Sequence, residues 1–195
     1  MNLHKFLVTG FLVGGLLVGC DYEQTTKDDE YVETEEDYSI EWEDVSVGAK
    51  EFVADALVEV NKVPSGNYEE GYEQYLLAEK ISGGLRGYIR GEGDNLEKDF
   101  TNLFMITSII SHEQFVRTAH IDGNGGAKDR VDSIDKWKPV QEAQLKAFDY
   151  MKQLLNDLDV ALNKDGEGSR FGVTYYLDGE NAVKMEMDLS IQKEE

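Results

Sequence analysis

Hydrophobic positions in the middle of the chain recur every three or four residues, which is the spacing of amphipathic helices. The first such pattern predicts a helix over about residues 47–63. A Pro-Ser-Gly-Asn turn at 64–67 separates it from a second predicted helix over about 67–90. Gly83 and Gly84 interrupt the second helix and predict a kink or a close helix contact, because glycine costs about 1 kcal/mol in a helix interior.

Two longer helical patterns follow. Asp94 or Asn95 is predicted to cap a third helix over about 95–120, whose apolar residues cover more than one face and therefore predict a central position. A glycine-rich loop leads to a fourth helical region over about 128–163, which Pro139 is expected to break or kink. The second half of that region carries a bundle-type seam of apolar residues: Phe148, Met151, Leu155, Leu158 and Leu162.

The C-terminal pattern differs, because apolar and polar residues alternate over 171–177 and again over 182–191. The Asp178-Gly179 pair between them is a turn signal typical of β-hairpins. The predicted fold class is therefore mainly α: a helical bundle of about four helices with a C-terminal β-hairpin at about 170–191. Since an isolated hairpin is marginally stable, we expect it to pack on the helices or to pair with another strand.

The N-terminus begins with a short basic head, followed by a 14-residue apolar run over 6–19. A permanent membrane-spanning helix needs about 20 apolar residues, so the run fits a secretory signal peptide better than a span. The run ends in Leu17-Val18-Gly19-Cys20, and this ending resembles the lipobox of the bacterial lipoprotein class.

The resemblance implies that a peptidase cleaves the chain before Cys20 and that a diacylglyceryl group, with acyl chains such as palmitate, is attached to the cysteine thiol. Residues 1–19 are then the signal peptide, and two acyl chains are sufficient for stable anchoring. The resemblance covers residues 1–20, and no family is recognised for residues 21–195. The alternative is a plain N-terminal membrane helix with a chance cysteine.

An acidic stretch separates the lipobox from the helical patterns. Residues 21–44 contain 12 acidic residues and one lysine, a composition that predicts an extended, disordered segment. We therefore expect an acidic tether over 20–45 and a folded domain over 46–195. The same stretch is also interpretable as an acidic interaction tail, or as a segment whose aromatics, such as Tyr31 and Tyr38, dock on the domain.

Charge and cysteine content narrow the function classes. The chain has 40 acidic and 19 basic residues, a net charge of −21, and because such a surface repels phosphate backbones, nucleic acid is excluded as a partner. Cys20 is the single cysteine, which excludes an intramolecular disulfide and any cysteine-based metal site or nucleophile in the domain. The expected partners are the membrane, through the lipid on Cys20, and an unknown envelope protein or small ligand.

The metal-binding motifs in the sequence are incomplete. His112 and the glutamate after it begin like a His-Glu-x-x-His zinc motif, but the second histidine is replaced by Val116. Asn163, Asp165 and Glu167 are spaced like the first ligands of a calcium loop, although no glutamate stands at the twelfth position. The alternative interpretation of that stretch is a loop of turn-forming residues, and no cofactor is predicted.

Tyrosines recur along the second predicted helix. Tyr72, Tyr75 and Tyr88 are candidates to line a groove for a ligand or partner, since tyrosine is enriched in interfaces. The alternative is that they form the amphipathic edge of the core. No catalytic acid–base pair or phosphate-binding loop emerges, so neither a catalytic residue nor an enzyme activity is predicted.

The predicted function is therefore that of a membrane-anchored, extracytoplasmic lipoprotein that acts as a non-enzymatic interaction or structural module at the cell envelope. One alternative is a small-ligand-binding lipoprotein for transport or sensing. A second alternative is an exclusion or immunity lipoprotein of a mobile element. The expected location is the outer face of the cell membrane, on a Gram-positive surface or on the periplasmic side in a Gram-negative cell.

Overall fold

Helices account for most of the described part of the molecule. The computed structural model describes residues 42–63, 68–85, 87–88 and 94–190, which belong to one compact unit, Ser39–Glu195. The α-helices are α1 (Trp42–Val60), α2 (Tyr68–Leu85), α3 (Asn95–Thr118), α4 (Glu142–Asn163) and α5 (Ala182–Ser190). Two 3-10 helices, Gly126–Asp129 and Val131–Lys136, lie between α3 and α4. The mainly helical fold class is confirmed.

The first four helices form a ring around a common core. α3 packs against α2 on one side and against α4 on the other, while α1 packs against α4. The boundary between α1 and α2 is the least extensive of the four contacts around the ring. Buried side chains from all four helices fill the interior, among them Val53, Ile81, Leu103, Ile106 and Leu158.

The sequence pattern predicted several local features of these helices correctly. Asp94 caps α3, because its carboxylate accepts a hydrogen bond from the backbone N–H of Glu97 at 2.7 Å. Pro139 lies between the second 3-10 helix and α4, so the fourth helical region is interrupted there. All five residues of the predicted seam are buried on α4: Phe148, Met151, Leu155, Leu158 and Leu162.

The predicted C-terminal β-hairpin at about 170–191 is wrong. Residues 171–181 form turns and irregular backbone, and the residues after them form helix α5. α5 buries Ala182, Met185 and Leu189, which are three or four positions apart and share one helix face.

The apolar residues of 182–191 fit both the two-residue repeat of a strand and the 3.6-residue repeat of a helix, and tertiary packing selects the helix. A strand would bury Val183 and Met187 together with Met185 and Leu189, whereas in α5 Val183 and Met187 are 55% and 56% exposed. A helix satisfies most of its own backbone groups, while a lone hairpin depends on further strands or a packing face.

Candidate functional site

A groove opens along the seam between α1 and α2, where the ring of helices is least closed. Its volume is about 270 Å³. The lining comes from about two turns of each helix: Phe52, Asp55, Ala56 and Glu59 on α1, and Leu77, Lys80, Ile81 and Gly84 on α2. The groove therefore has an apolar floor with charged residues along its edges.

Gly84 leaves room for the Phe52 ring at one end of the groove. A Cβ atom at this position would lie 2.5 Å from Cε2 of the Phe52 ring, so any side chain there would displace the ring. A Cβ at the adjacent Gly83 would meet no atom within 4 Å. The Phe52 ring of α1 thus packs directly on α2 at Gly84, and the predicted close approach of two helices at the glycine pair stays a prediction.

The charge along the edges of the groove is mostly negative on the α1 side. Asp55 is exposed there, and Glu51 is exposed one turn earlier on the same helix. Glu59 forms an ion pair with Lys62 at 2.7 Å, and the hydrogen bond and positive charge of Lys62 lower the pKa of Glu59. Lys80 contributes a positive charge on the α2 side.

Two of the candidate tyrosines belong to a cluster that joins α2 to the 3-10 segment. The ring centroid of Tyr72 lies 6.0 Å from that of Tyr75 and 5.2 Å from that of Trp137. The Tyr75 hydroxyl donates to Oδ1 of Asp129 at 2.7 Å, and the ammonium of Lys128 lies 5.4 Å from the Tyr75 ring. Burial and the hydrogen bond to Asp129 raise the pKa of Tyr75.

Tyr88 belongs to a different cluster. Its ring centroid lies 5.3 Å from that of Phe52 and 5.4 Å from that of Phe100. The structure therefore brings Tyr72 and Tyr75 together, while Tyr88 supports Phe52 of the groove. Tyr75 is 2% exposed and the other two pack against the core, which fits the interpretation of all three as edge residues of the core. Ligand binding by these tyrosines stays a prediction.

The candidate calcium residues lie where α4 ends. Asn163 is the last residue of α4, and its side-chain amide donates to the Lys50 carbonyl at 3.1 Å and to Oδ1 of Asp159 at 2.9 Å. Asp165 has a left-handed backbone with φ of 51°, and the Glu167 side chain is exposed. Among the described residues, no group of three His, Cys, Asp or Glu side chains is placed to hold a metal ion.

The two histidines of α3 and its C-terminal turn have separate neighbours. Nε2 of His120 lies 2.9 Å from the carbonyl oxygen of Lys136, which fixes the ring against the second 3-10 helix. His112 is exposed, with its ring centroid 6.4 Å from that of Phe115. Ser111 donates to the carboxylate of Glu79 rather than to a histidine.

A fully buried aspartate on α3, which the sequence pattern did not single out, binds the C-terminal segment. The carboxylate of Asp99 accepts the backbone N–H of Tyr175 at 2.7 Å and that of Tyr176 at 3.0 Å. Burial raises the pKa of Asp99 to about 6, and the nearby carboxylates of Asp157 and Glu186 act in the same direction. The two N–H groups oppose this rise, because they stabilise the ionised form.

Asp157 on α4 has the same role for the preceding residues. It is 1% exposed and accepts the backbone N–H of Phe171 at 2.8 Å and that of Val173 at 2.9 Å. Two helices of the ring thus each supply one carboxylate to one short stretch of backbone. We call the four hydrogen bonds that Asp99 and Asp157 accept from this stretch the carboxylate clasp.

A second cleft, of about 360 Å³, lies over the clasped segment. Its lining includes one cationic and several acidic or amide side chains: Asp157, Arg170, Phe171, Gly172, Thr174, Leu177, Asp178, Gly179, Glu180 and Asn181. Unlike the groove between α1 and α2, this cleft presents mainly polar groups.

The predicted signal peptide, Cys20 and most of the predicted tether lie outside the described residues. α1 begins at Trp42, within the last residues of the stretch predicted as tether. No helix in the described ranges has both the length and the apolarity needed to cross a bilayer.

Comparisons with protein-family models, with curated proteins and with solved structures gave no match to this chain.

Proposed function

We propose that the protein is a lipid-anchored, extracytoplasmic lipoprotein whose helical domain is a non-enzymatic interaction module, with the groove between α1 and α2 as the surface that binds a partner. The observation that carries the binding part is the groove itself. Its floor, formed by residues such as Ala56, Leu77 and Ile81, is apolar, and the groove opens to the surface. Concave apolar surfaces of this kind are preferred sites of association.

The sequence supports the anchoring part of the proposal. The apolar run over 6–19 and the Leu17-Val18-Gly19-Cys20 ending have the composition and order of a lipoprotein signal. Two acyl chains on one thiol bury enough methylene groups, at about 0.8 kcal/mol each, to hold a soluble domain at a membrane.

Lipidation is tested by metabolic labelling with an alkyne fatty acid in a bacterial host. The wild-type chain is expected to carry the label and to sediment with membranes, and the Cys20→Ser chain is expected to lose the label. The helical domain contains no cysteine, so the substitution leaves its packing unchanged. Persistent labelling of the Cys20→Ser chain would contradict the proposal.

The non-enzymatic part is tested with the purified chain in a panel of envelope hydrolase assays. We expect no turnover above the background of a mock purification. Turnover that disappeared on replacement of one particular side chain of this protein would show that the domain is an enzyme.

A second candidate function is that of a small-ligand-binding lipoprotein, and the cleft over the clasped segment is the observation that favours it. Its volume of about 360 Å³ falls within the range of small-molecule sites, about 300–1,000 Å³. Arg170 with Asp178 and Glu180 presents both charge signs, which suits a small zwitterion. Thermal-shift measurements across a metabolite panel test it, and a stabilising ligand should lose its effect with Arg170→Ala.

A further inference from the structure

We infer that the partner of the groove between α1 and α2 is an amphipathic helix that inserts two apolar side chains one turn apart and carries basic residues on the side that faces α1. The inference rests on the proposed function and names the class of partner for the same groove.

The dimensions of the groove fit side chains from a helix. The lining runs from Phe52 to Glu59 on α1 and from Leu77 to Gly84 on α2, which is about 10 Å at 1.5 Å per residue. Two apolar side chains one turn apart on a helix are separated by about 5.4 Å along its axis, so both fit within this length. The volume of about 270 Å³ falls just below the range of sites for drug-sized molecules.

The floor of the groove favours apolar side chains. Ala56, Leu77 and Ile81 are also members of the hydrophobic core, so an inserted side chain would extend that core outward. Phe52 is half-buried, and its ring packs against the ring of Tyr88. A partner that covers this surface gains the free energy of removing apolar area from water.

The edges determine the charge of the partner. On the α1 side, Glu51, Asp55 and Glu59 recur every four residues and therefore form one acidic strip. Lys62 pairs with Glu59, and Lys80 on the α2 side of the groove also acts on Glu59, so Glu51 and Asp55 supply most of the negative charge that is left for a partner. A lysine or arginine beside the inserted side chains would face this strip. The net charge of −21 also accelerates the approach of basic partners and repels acidic ones.

The adjacent glycines provide a matched pair of variants. A leucine at Gly84 would displace the Phe52 ring and occupy one end of the groove, whereas a leucine at Gly83 points into open space. Both substitutions make the same chemical change one position apart on α2, so they differ in whether the Phe52 ring and the end of the groove are disturbed.

The experiment measures fluorescence anisotropy of a labelled, stapled helical peptide with two leucines one turn apart and lysines beside them. The purified full chain in nonionic detergent is titrated against it at low salt, with empty micelles as the blank. A second peptide, with glutamate in place of each lysine, tests the charge. We expect the lysine peptide to bind at least about tenfold more tightly than the glutamate peptide.

Gly84→Leu should weaken binding of the lysine peptide by about 10- to 100-fold, since it removes the space for one leucine, and Gly83→Leu should leave binding unchanged. Asp55→Lys keeps the floor intact and tests the edge independently of any effect of Gly84→Leu on folding. It should weaken binding by about three- to tenfold, while Asp132→Lys, an exposed acid on the second 3-10 helix, should not.

Three outcomes would overturn the inference. Equal binding to the Gly83→Leu and Gly84→Leu chains would exclude the groove as the site. Equal binding of the lysine and glutamate peptides would exclude a basic partner. Absence of binding of both peptides to the wild-type chain would exclude a helical partner of this kind. Lipid labelling at Cys20 is measured separately, so these failures are distinguishable from failure of the anchoring proposal.

Discussion

The guanidinium of Arg117 lies in the protein interior near the end of α3. Its Nε donates to the carbonyl of Lys138 at 3.0 Å and its Nη1 donates to Oε1 of Gln114 at 2.7 Å. The Trp137 ring centroid lies 5.6 Å from the guanidinium carbon. A Cβ at Gly71 on α2 would lie 2.6 Å from Nη1, so the missing side chain makes room for the arginine. One side chain thus joins α2, α3 and the segment that leads into α4.

Replacing Arg117 by lysine should destabilise the protein by about 3 kcal/mol, because an ammonium cannot make both hydrogen bonds of the planar guanidinium and stays buried. The measurement is urea unfolding followed by circular dichroism. Arg130→Lys, at an exposed position, is the control and should change the free energy of unfolding by less than about 0.5 kcal/mol. A similar effect of both substitutions would show that the geometry around Arg117 does not matter.

Single residues also show how far the sequence could predict the candidate site. The helical periodicity over 47–63 places Phe52 and Ala56 on one apolar face, but the groove depends on the distance between α1 and α2, which no local pattern contains. Asp99 and Asp157 occupy buried helix positions, and Asp157 lies between Leu154 and Leu158 of the core. An acidic residue on a predicted apolar face was the available signal, although it does not reveal which backbone groups the carboxylate binds.

At the scale of an element, the C-terminal segment shows why a local pattern of alternating residues can predict a strand that does not form. Alternation over 171–177 predicted a strand that pairs with a neighbouring strand. In the structure, N–H groups of this stretch bind the carboxylates of Asp99 and Asp157 instead. Carboxylates of α3 and α4, rather than a neighbouring strand, thus accept hydrogen bonds from these backbone N–H groups. α1 to α4, by contrast, follow strong local periodicity, and their approximate positions could be predicted.

The carboxylate clasp makes the stability of the protein depend on pH through Asp99. Its pKa is about 6 in the folded chain and 3.8 ordinarily, so the folded state holds a proton that the unfolded state releases between these values. The contribution of Asp99 to stability is therefore greatest below pH 3.8 and is lost as the pH rises through about 6.

Asp99→Asn should remove this dependence, because asparagine does not titrate. The free energy of unfolding of the wild-type chain minus that of the variant should fall by about 2 kcal/mol between pH 4.5 and 7.5. Urea unfolding at a series of pH values measures it, and the carboxylates that do not interact with Asp99 cancel in the difference. A difference that stays constant with pH would contradict the assignment to Asp99.

Asp157→Asn should loosen the start of the clasped segment, since an amide has one acceptor oxygen where the carboxylate has two. We expect hydrogen exchange at the amides of Phe171 and Val173 to accelerate about ten- to a hundredfold, with little change in α1. Asp149→Asn, an exposed position on the same helix, is the control. Unchanged exchange in the Asp157→Asn chain would mean that other contacts hold the segment.

At the scale of the whole molecule, the excess of negative charge opposes folding. Of the net charge of −21, residues 45–195 carry −11, from 28 acidic and 17 basic residues. These charges repel one another in the folded domain, and dissolved salt screens that repulsion. Raising NaCl from about 0.01 M to 0.5 M at pH 7 should stabilise the protein by about 1–2 kcal/mol and raise Tm by a few degrees. Near the sequence pI of 4.4 the net charge is close to zero, and the salt-induced increase in stability should disappear. A salt effect of the same size at both pH values would contradict this explanation.

The carboxylate clasp also imposes an order on biosynthesis. The chain is synthesised from its N-terminus and, on the proposed function, crosses the membrane in the same direction, so Asp99 and Asp157 emerge before Phe171 and the residues after it. Until those residues emerge, Asp99 and Asp157 lack the backbone donors that they bind in the finished fold. A product truncated before residue 170 would contain the complete ring of α1 to α4 and still be an unfinished protein.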